Sequence, residues 1–141
     1  MEYVLDSSVL VKWFSPYNEE HRGKALSLLN LYKEGKIDLC IPELAICEVS
    51  NALRYNKNFN ESEVKDILKF LMNLELSIVN LSEDIVNKSL GISYEDNITV
   101  YDAIFIGLSN ALKIPLITAN PKHLKVKSGR NIILLQEFWE K

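Results

Sequence analysis

The stretch Tyr3-Val4-Leu5-Asp6-Ser7-Ser8-Val9-Leu10-Val11-Lys12-Trp13-Phe14 decides how the rest of this chain is read. Tyr3 to Leu5 is a short unbroken apolar run of the kind that forms a buried strand. The Asp-Ser-Ser cluster after it both stops a strand and can cap a helix. Val9 to Phe14 then reads as a short helix, ended by Pro16. The same alternation continues to the end of the chain. Helical spacing recurs over Glu19 to Glu34, from Pro42 to about Tyr55, over Glu61 to Leu74, from Ser82 through Leu90, and over Thr99 to Leu112. Short strand-like runs recur at Leu39-Cys40-Ile41, Ser77-Ile78-Val79, Pro115-Leu116-Ile117-Thr118 and Asn131 to Leu135. Short apolar strands separated by helices predict an α/β fold, a three-layer α/β/α sandwich around a mostly parallel sheet of about five strands. Ligands of such sheets gather beyond the carboxyl ends of the strands, and the first place to look is therefore Asp6.

Composition narrows the classes of function. With 141 residues, 48% of them hydrophobic and 25% charged, the chain is expected to form a single domain over residues 1–141 rather than a disordered tail, a collagen-like fibre or a coiled coil. Its net charge of −3 does not advertise bulk attraction to nucleic acid or to an anionic membrane. A nucleic-acid role would need a local basic patch or a bound cation. Cys40 and Cys47 form no CxxC pair and have no His nearby, which excludes a cysteine zinc site and argues against a disulfide scaffold. The start of the chain lacks a signal-peptide pattern, and no apolar stretch reaches the roughly 18 residues of a membrane span. A cytoplasmic protein without membrane contact is the expectation.

Three carboxylates stand among apolar neighbours. Asp6 follows the first strand and is either a turn or cap residue or a ligand held at the sheet edge. Glu48 shares an arc of about 100° with Ala45, Val49 and Ala52, which puts it in or beside the stripe that faces the sheet. Asn51, one turn on, is a neighbouring polar group or simply exposed. Asp102 lies in Thr99-Val100-Tyr101-Asp102, a capping-box pattern, at the head of a helix that is apolar nearly all round. Asn120 follows the fourth strand in Thr118-Ala119-Asn120 and either starts a turn before Pro121 or offers an oxygen to a cation. Carboxylates converging on one edge repel unless a cation neutralises them, and oxygen-only donors select Mg²⁺ or Mn²⁺ over zinc.

Tyr-Val-Leu-Asp-Ser-Ser-Val-Leu-Val-Lys-Trp-Phe (3–14), Pro-Glu-Leu-Ala-Ile-Cys-Glu-Val-Ser-Asn-Ala-Leu (42–53), Tyr-Asp-Ala (101–103) and Leu-Ile-Thr-Ala-Asn (116–120) stand in the order expected of a PIN domain. The chain most resembles the VapC toxins of VapBC toxin–antitoxin pairs, over nearly its whole length. That resemblance implies a Mg²⁺- or Mn²⁺-dependent endoribonuclease. Asp6, Glu48 and Asp102 match the family's acidic residues, with Asp6 and Asp102 expected to hold the metal and Glu48 and Asn120 to complete its shell. Ser8 and Thr118 match its small hydroxyl residues. Asn120 departs from the pattern, because many relatives carry Asp there, and this puts a strict two-metal mechanism in doubt. The resemblance also implies a VapB-like antitoxin and a homodimer.

RNA would have to meet an acidic protein through local charge. Lys122, His123, Lys125, Lys127 and Arg130 follow the proposed site, and Arg54 and Lys57 follow the Glu48 helix. Phosphate contacts from such residues position a substrate without reading its sequence. The alternative reading keeps the fold and drops catalysis, leaving an inactive module that binds RNA or protein. Other enzymes on a doubly wound sheet fit less well. A receiver domain needs a phosphoacceptor Asp after the third strand, where this chain has Asn80, and no Gly-rich turn follows the first strand as a dinucleotide site requires.

Overall fold

Strands and helices alternate in the computed structural model, which describes residues 1–17, 19–120 and 130–138. In chain order they are β1 (Glu2–Leu5), α1 (Ser7–Phe14), α2 (Arg22–Lys33), β2 (Asp38–Pro42), α3 (Leu44–Arg54), α4 (Glu61–Asn73), β3 (Ser77–Val79), α5 (Glu83–Asp96), α6 (Val100–Leu112), β4 (Leu116–Thr118) and β5 (Ile132–Leu134). The five strands form one sheet in the order β3-β2-β1-β4-β5. Every neighbouring pair is parallel, with Tyr3 opposite Leu39, Val4 opposite Leu116, Ile41 opposite Ile78 and Leu116 opposite Ile132. Val4, Leu5, Cys40, Ile41, Leu116 and Ile117 are fully buried, as strands covered on both faces must be.

The helices sort into two groups. α1 packs on α2 and α3, and α3 packs on α4, while α5 lies along α6. Right-handed crossovers carry the chain from β1 to β2 to β3 and then back to β4, which puts the two groups on opposite faces of the sheet. The expected sandwich and its parallel sheet are thus what the chain forms. β1 and β4 are neighbours, yet the chain leaves them in opposite directions, toward β2 and toward β5. A crevice opens at the carboxyl ends of strands at such a switch point.

Several boundaries differ from the sequence expectation, each for a local reason. The second helix begins at Arg22 rather than Glu19. Glu19 instead pairs with the mostly buried Lys12 at 2.9 Å, and the Arg22 guanidinium donates to the last carbonyls of α1, Lys12 O at 2.9 Å and Trp13 O at 3.2 Å. Pro42 closes β2 instead of opening a helix, because the ladder continues past it through the Glu43 amide, which donates to Val79 O at 3.0 Å. α5 runs six residues beyond Leu90, carrying Ile92 into the core, and ends where Asn97 turns left-handed at φ 52°. Cys40 and Cys47 are unpaired, and burial pushes the Cys40 thiol up to about 12. Among the described residues no helix is long and apolar enough to cross a membrane.

α5 and α6 approach closely at Gly107, where a Cβ would collide with the Ser89 hydroxyl and reach the Ser89 Cα and Cβ at 3.4 Å. Gly107→Ala is therefore expected to destabilise the fold by about 1–3 kcal/mol in urea titrations. Ser89→Ala removes the colliding oxygen, and the double variant should recover most of that loss.

Candidate functional site

Asp6 sits where β1 ends and α1 begins. Its amide still belongs to the sheet, donating to Ile117 O of β4 at 3.0 Å. Its carbonyl already belongs to the helix, accepting from Val9 N at 3.0 Å. The backbone is that of a helix cap, but the side chain makes no capping bond. Asp6 Oδ2 instead accepts from the hydroxyls of Ser8 and, at 3.0 Å, Thr118. Each hydroxyl in turn accepts a backbone amide at 3.0 Å, Ala119 N on Ser8 Oγ and Asn120 N on Thr118 Oγ1. Donors pass from the β4 loop through two hydroxyls onto one carboxylate oxygen. A carboxylate only 4% exposed needs such donors, because burying it unpaired would cost several kcal/mol.

Glu48 reaches the same place from α3. The stripe that α3 buries is Ala45, Val49 and Leu53, while Ala52 is exposed, so Glu48 stands at the border of the packed face. Its Oε1 accepts the Ser7 hydroxyl at 2.8 Å. Burial pushes the Glu48 carboxyl above the ordinary Glu value; the Ser7 bond opposes that rise, and the charges of Asp6 and Asp102 add to it. Asp102 comes from α6, on the other side of the sheet. Thr99 accepts the Asp102 amide at 3.1 Å, but the return bond from the Asp102 carboxylate, which would complete a capping box, is not made. α4 shows the complete form, with Asn60 and Glu63 exchanging both bonds. The half-buried Asp102 carboxylate is thus left facing the cleft.

Asp6, Ser7, Ser8, Val11, Glu48, Ala52, Asp102 and Asn120 line one open cleft of about 280 Å³. Among the described residues that lining holds no basic side chain. It also holds no tight cluster: no three His, Cys, Asp or Glu side chains among the described residues stand close enough to grip an ion as they are placed. Thr118 is fully buried behind Asp6 and meets the cleft through its bonds to Asp6 and to the Asn120 amide. Asn51 is exposed and lies outside the lining. Arg54 borders a different cavity, with Phe59 and Val64. Arg130 is occupied by the end of α5, its guanidinium 2.9 Å from Glu95 and 3.4 Å from Asp96. That pairing neutralises the charge proposed for RNA. Lys122, His123, Lys125 and Lys127 lie outside the described residues. Ser7 is the site residue that sequence reading passes over, since beside Ser8 it looks like a second helix cap.

Comparison with known proteins gives the following. The sequence profile of the family described as "PIN domain" matches residues 3–128. No curated protein sequence matches the chain. Among solved structures, a toxin–antitoxin complex from Klebsiella pneumoniae superposes with a TM-score of 0.71 at 20% identity, covering 96% of this chain and 99% of that one. A DNA-bound VapBC from Salmonella typhimurium gives 0.73 at 14% identity, covering 96% and 98%. VapC20 from Mycobacterium tuberculosis, described as a sarcin–ricin loop cleaving toxin, gives 0.66 at 10% identity, covering 91% and 98%. At these identities the structural likeness speaks for the fold.

Glu48 is expected to titrate above an ordinary Glu in carboxyl-detected NMR of protein kept in chelator. Asp102→Asn should lower that midpoint by removing a repelling charge, and Ser7→Ala should raise it by removing a donor. The fold then binds this proton more tightly than the unfolded chain does. Its stabilising contribution is present below the unfolded value and lost as pH rises through the folded one. Glu48→Gln should accordingly gain stability over wild type as pH rises from acid toward neutrality.

Proposed function

The chain belongs to the PIN-domain family, and on that premise we propose that it is a divalent-cation-dependent endoribonuclease, the toxin of a toxin–antitoxin pair. The observation that carries this reading is the convergence of Asp6, Glu48 and Asp102, from β1, α3 and α6, on one cleft without a basic side chain in its described lining. The donor set fits a hard cation in its chemistry, being carboxylate, amide and hydroxyl oxygen throughout, which suits Mg²⁺ or Mn²⁺. Asp6 and Asp102 would hold the ion, with Glu48 and Asn120 completing its surroundings. When bound, such an ion supplies Lewis-acid stabilisation of charge on a phosphodiester and lowers the pKa of water.

The protein's own groups have separable tasks in this reading. Ser8 and Thr118 fix the orientation of Asp6, and the amides of Ala119 and Asn120 fix the two hydroxyls. Ser7 donates to Glu48 and so offsets part of the repulsion that Glu48 feels from the two like charges. Asn120 contributes an uncharged oxygen, so the site carries one negative charge fewer than a fourth carboxylate would give. That weakens any second ion and favours a single-ion mechanism.

A partner follows from the same reading. The relatives of known structure include toxin–antitoxin complexes, and we assign this chain a cognate antitoxin that offers a cationic side chain to the cleft. A homodimer is assigned as well. A cavity of about 320 Å³ bounded by Trp13, Phe14, Leu29, Ile67 and Phe70 leaves apolar surface between α1, α2 and α4 for a macromolecular contact.

Purified protein should cleave RNA, structured transfer RNA included, in Mg²⁺ or Mn²⁺ but not in chelator. Asp6→Asn and Asp102→Asn should each lower the rate by at least about 100-fold, the loss of a few kcal/mol of transition-state stabilisation. Asn120→Asp should tighten Mn²⁺ binding measured by calorimetry. A folded wild type that cuts no RNA with either ion would leave a binding module in place of the nuclease.

A further inference from the structure

α3 delivers Glu48 to the cleft and then runs on past it. Glu48, Ala52 and Tyr55 recur at i, i+4 and i+7, so they share one face of the helix. Ala52 still lines the cleft, and Tyr55, directly after the last helical residue, is 73% exposed. Seven residues at 1.5 Å each set Tyr55 about 10 Å from Glu48 along the axis, about three nucleotides at the stacked rise of a strand.

The surroundings of this ring are cationic. The Arg54 guanidinium lies 5.0 Å from its centroid and covers one face. Lys12, Lys36, Lys65, Lys88 and Arg130 are all matched to carboxylates. Among the described residues Arg54 and Lys57 are in no ion pair of this kind, although Arg54 feels the charge of Glu61. Beyond Arg54 opens a cavity of about 340 Å³ walled by Phe59 and Val64, with the Tyr17 ring edge-on to Phe59 at 6.2 Å. An exposed aromatic ring with one cation on its face and a second two residues on in the chain, in line with an acidic cleft, matches single-stranded nucleic acid, whose bases stack while its phosphates seek positive charge.

We propose that Tyr55 is a stacking platform for a base of single-stranded RNA, with Arg54 and Lys57 drawing in the adjoining phosphates. This rests on the reading of the cleft as an RNA-cleaving site and names the form of RNA that it accepts. Stacking is indifferent to base identity, so the platform sets register and strandedness rather than sequence. A duplex keeps its bases paired and cannot use it.

The test is a single-stranded RNA oligonucleotide with 2-aminopurine at successive positions, bound in chelator, beside cleavage of the unlabelled strand in Mn²⁺. At one position wild type should quench the fluorophore. Tyr55→Ala should lose the quenching and bind about 5- to 150-fold more weakly. Tyr55→Phe and Tyr55→Trp should keep both, and the same RNA annealed as a duplex should show no quenching. In cleavage, Tyr55→Ala should raise KM for single-stranded RNA with kcat nearly unchanged. Wild-type cleavage together with unaltered quenching, affinity and KM in Tyr55→Ala overturns the platform and leaves the nuclease standing. Quenching that depends on Tyr55 in a wild type that cuts nothing supports the platform and removes the nuclease. A wild type that neither cuts nor quenches overturns both.

Discussion

A negative charge buried at the end of a strand has to be met by donors, and at Asp6 one is the neighbouring Ser8 hydroxyl while the other is Thr118, on a strand 112 residues away in the chain. β1 and β4 must lie side by side for Thr118 to reach Asp6, and the loop after β4 must turn tightly for the Ala119 and Asn120 amides to reach the two hydroxyls. The polar seam therefore fixes the register of the two central strands at the point where their connections diverge. Apolar burial favours a parallel sheet but would tolerate several alignments of Tyr-Val-Leu against Leu-Ile-Thr. The carboxylate satisfies its hydrogen bonds in one of them.

Two further carboxylates then face the first across that crevice. Helices on opposite sides of the sheet bring them in, so the packing of both layers sets how near their backbones stand. The protein tempers the repulsion in different ways. Glu48 takes a hydroxyl donor and a raised proton affinity, and Asp102 stays half-buried on the first turn of its helix, where the exposed amides favour negative charge. The three carboxylates line the cleft without forming a tight cluster among the described residues.

Much of this could be read from the chain. Short, largely apolar runs alternating with helical spacing disclosed the sheet, and the rule for open parallel sheets pointed to the carboxyl ends of its strands. Asp6 was legible because an Asp stood in place of a third hydroxyl cap, and Glu48 because it interrupted an apolar stripe. What stayed hidden depended on side chains that meet across the fold. Nothing local separates Ser7 from Ser8, though one serves Glu48 and the other Asp6. Glu19 fits the periodicity of the second helix, and only the buried Lys12 ammonium explains why it stays outside. Arg130 belongs to a basic stretch of sequence, but the carboxylates that claim it lie 34 and 35 residues earlier. Arg54 drew notice in the sequence for its charge, but Tyr55 beside it did not; the role proposed for the ring comes from the direction in which α3 points.

The pairing of residue 6 with residue 118 also sets a timetable. During synthesis the first strand, its helix and the whole of α3 leave the ribosome long before β4 exists, and the chain can begin to collapse around them. No acidic cleft can be assembled in that interval, because the strand that orients Asp6 is still missing and Asp102 arrives only shortly before it. A chain cut short anywhere upstream of β4 would carry its carboxylates unassembled. Whatever chemistry the cleft performs waits for β4, the strand whose Thr118 orients Asp6.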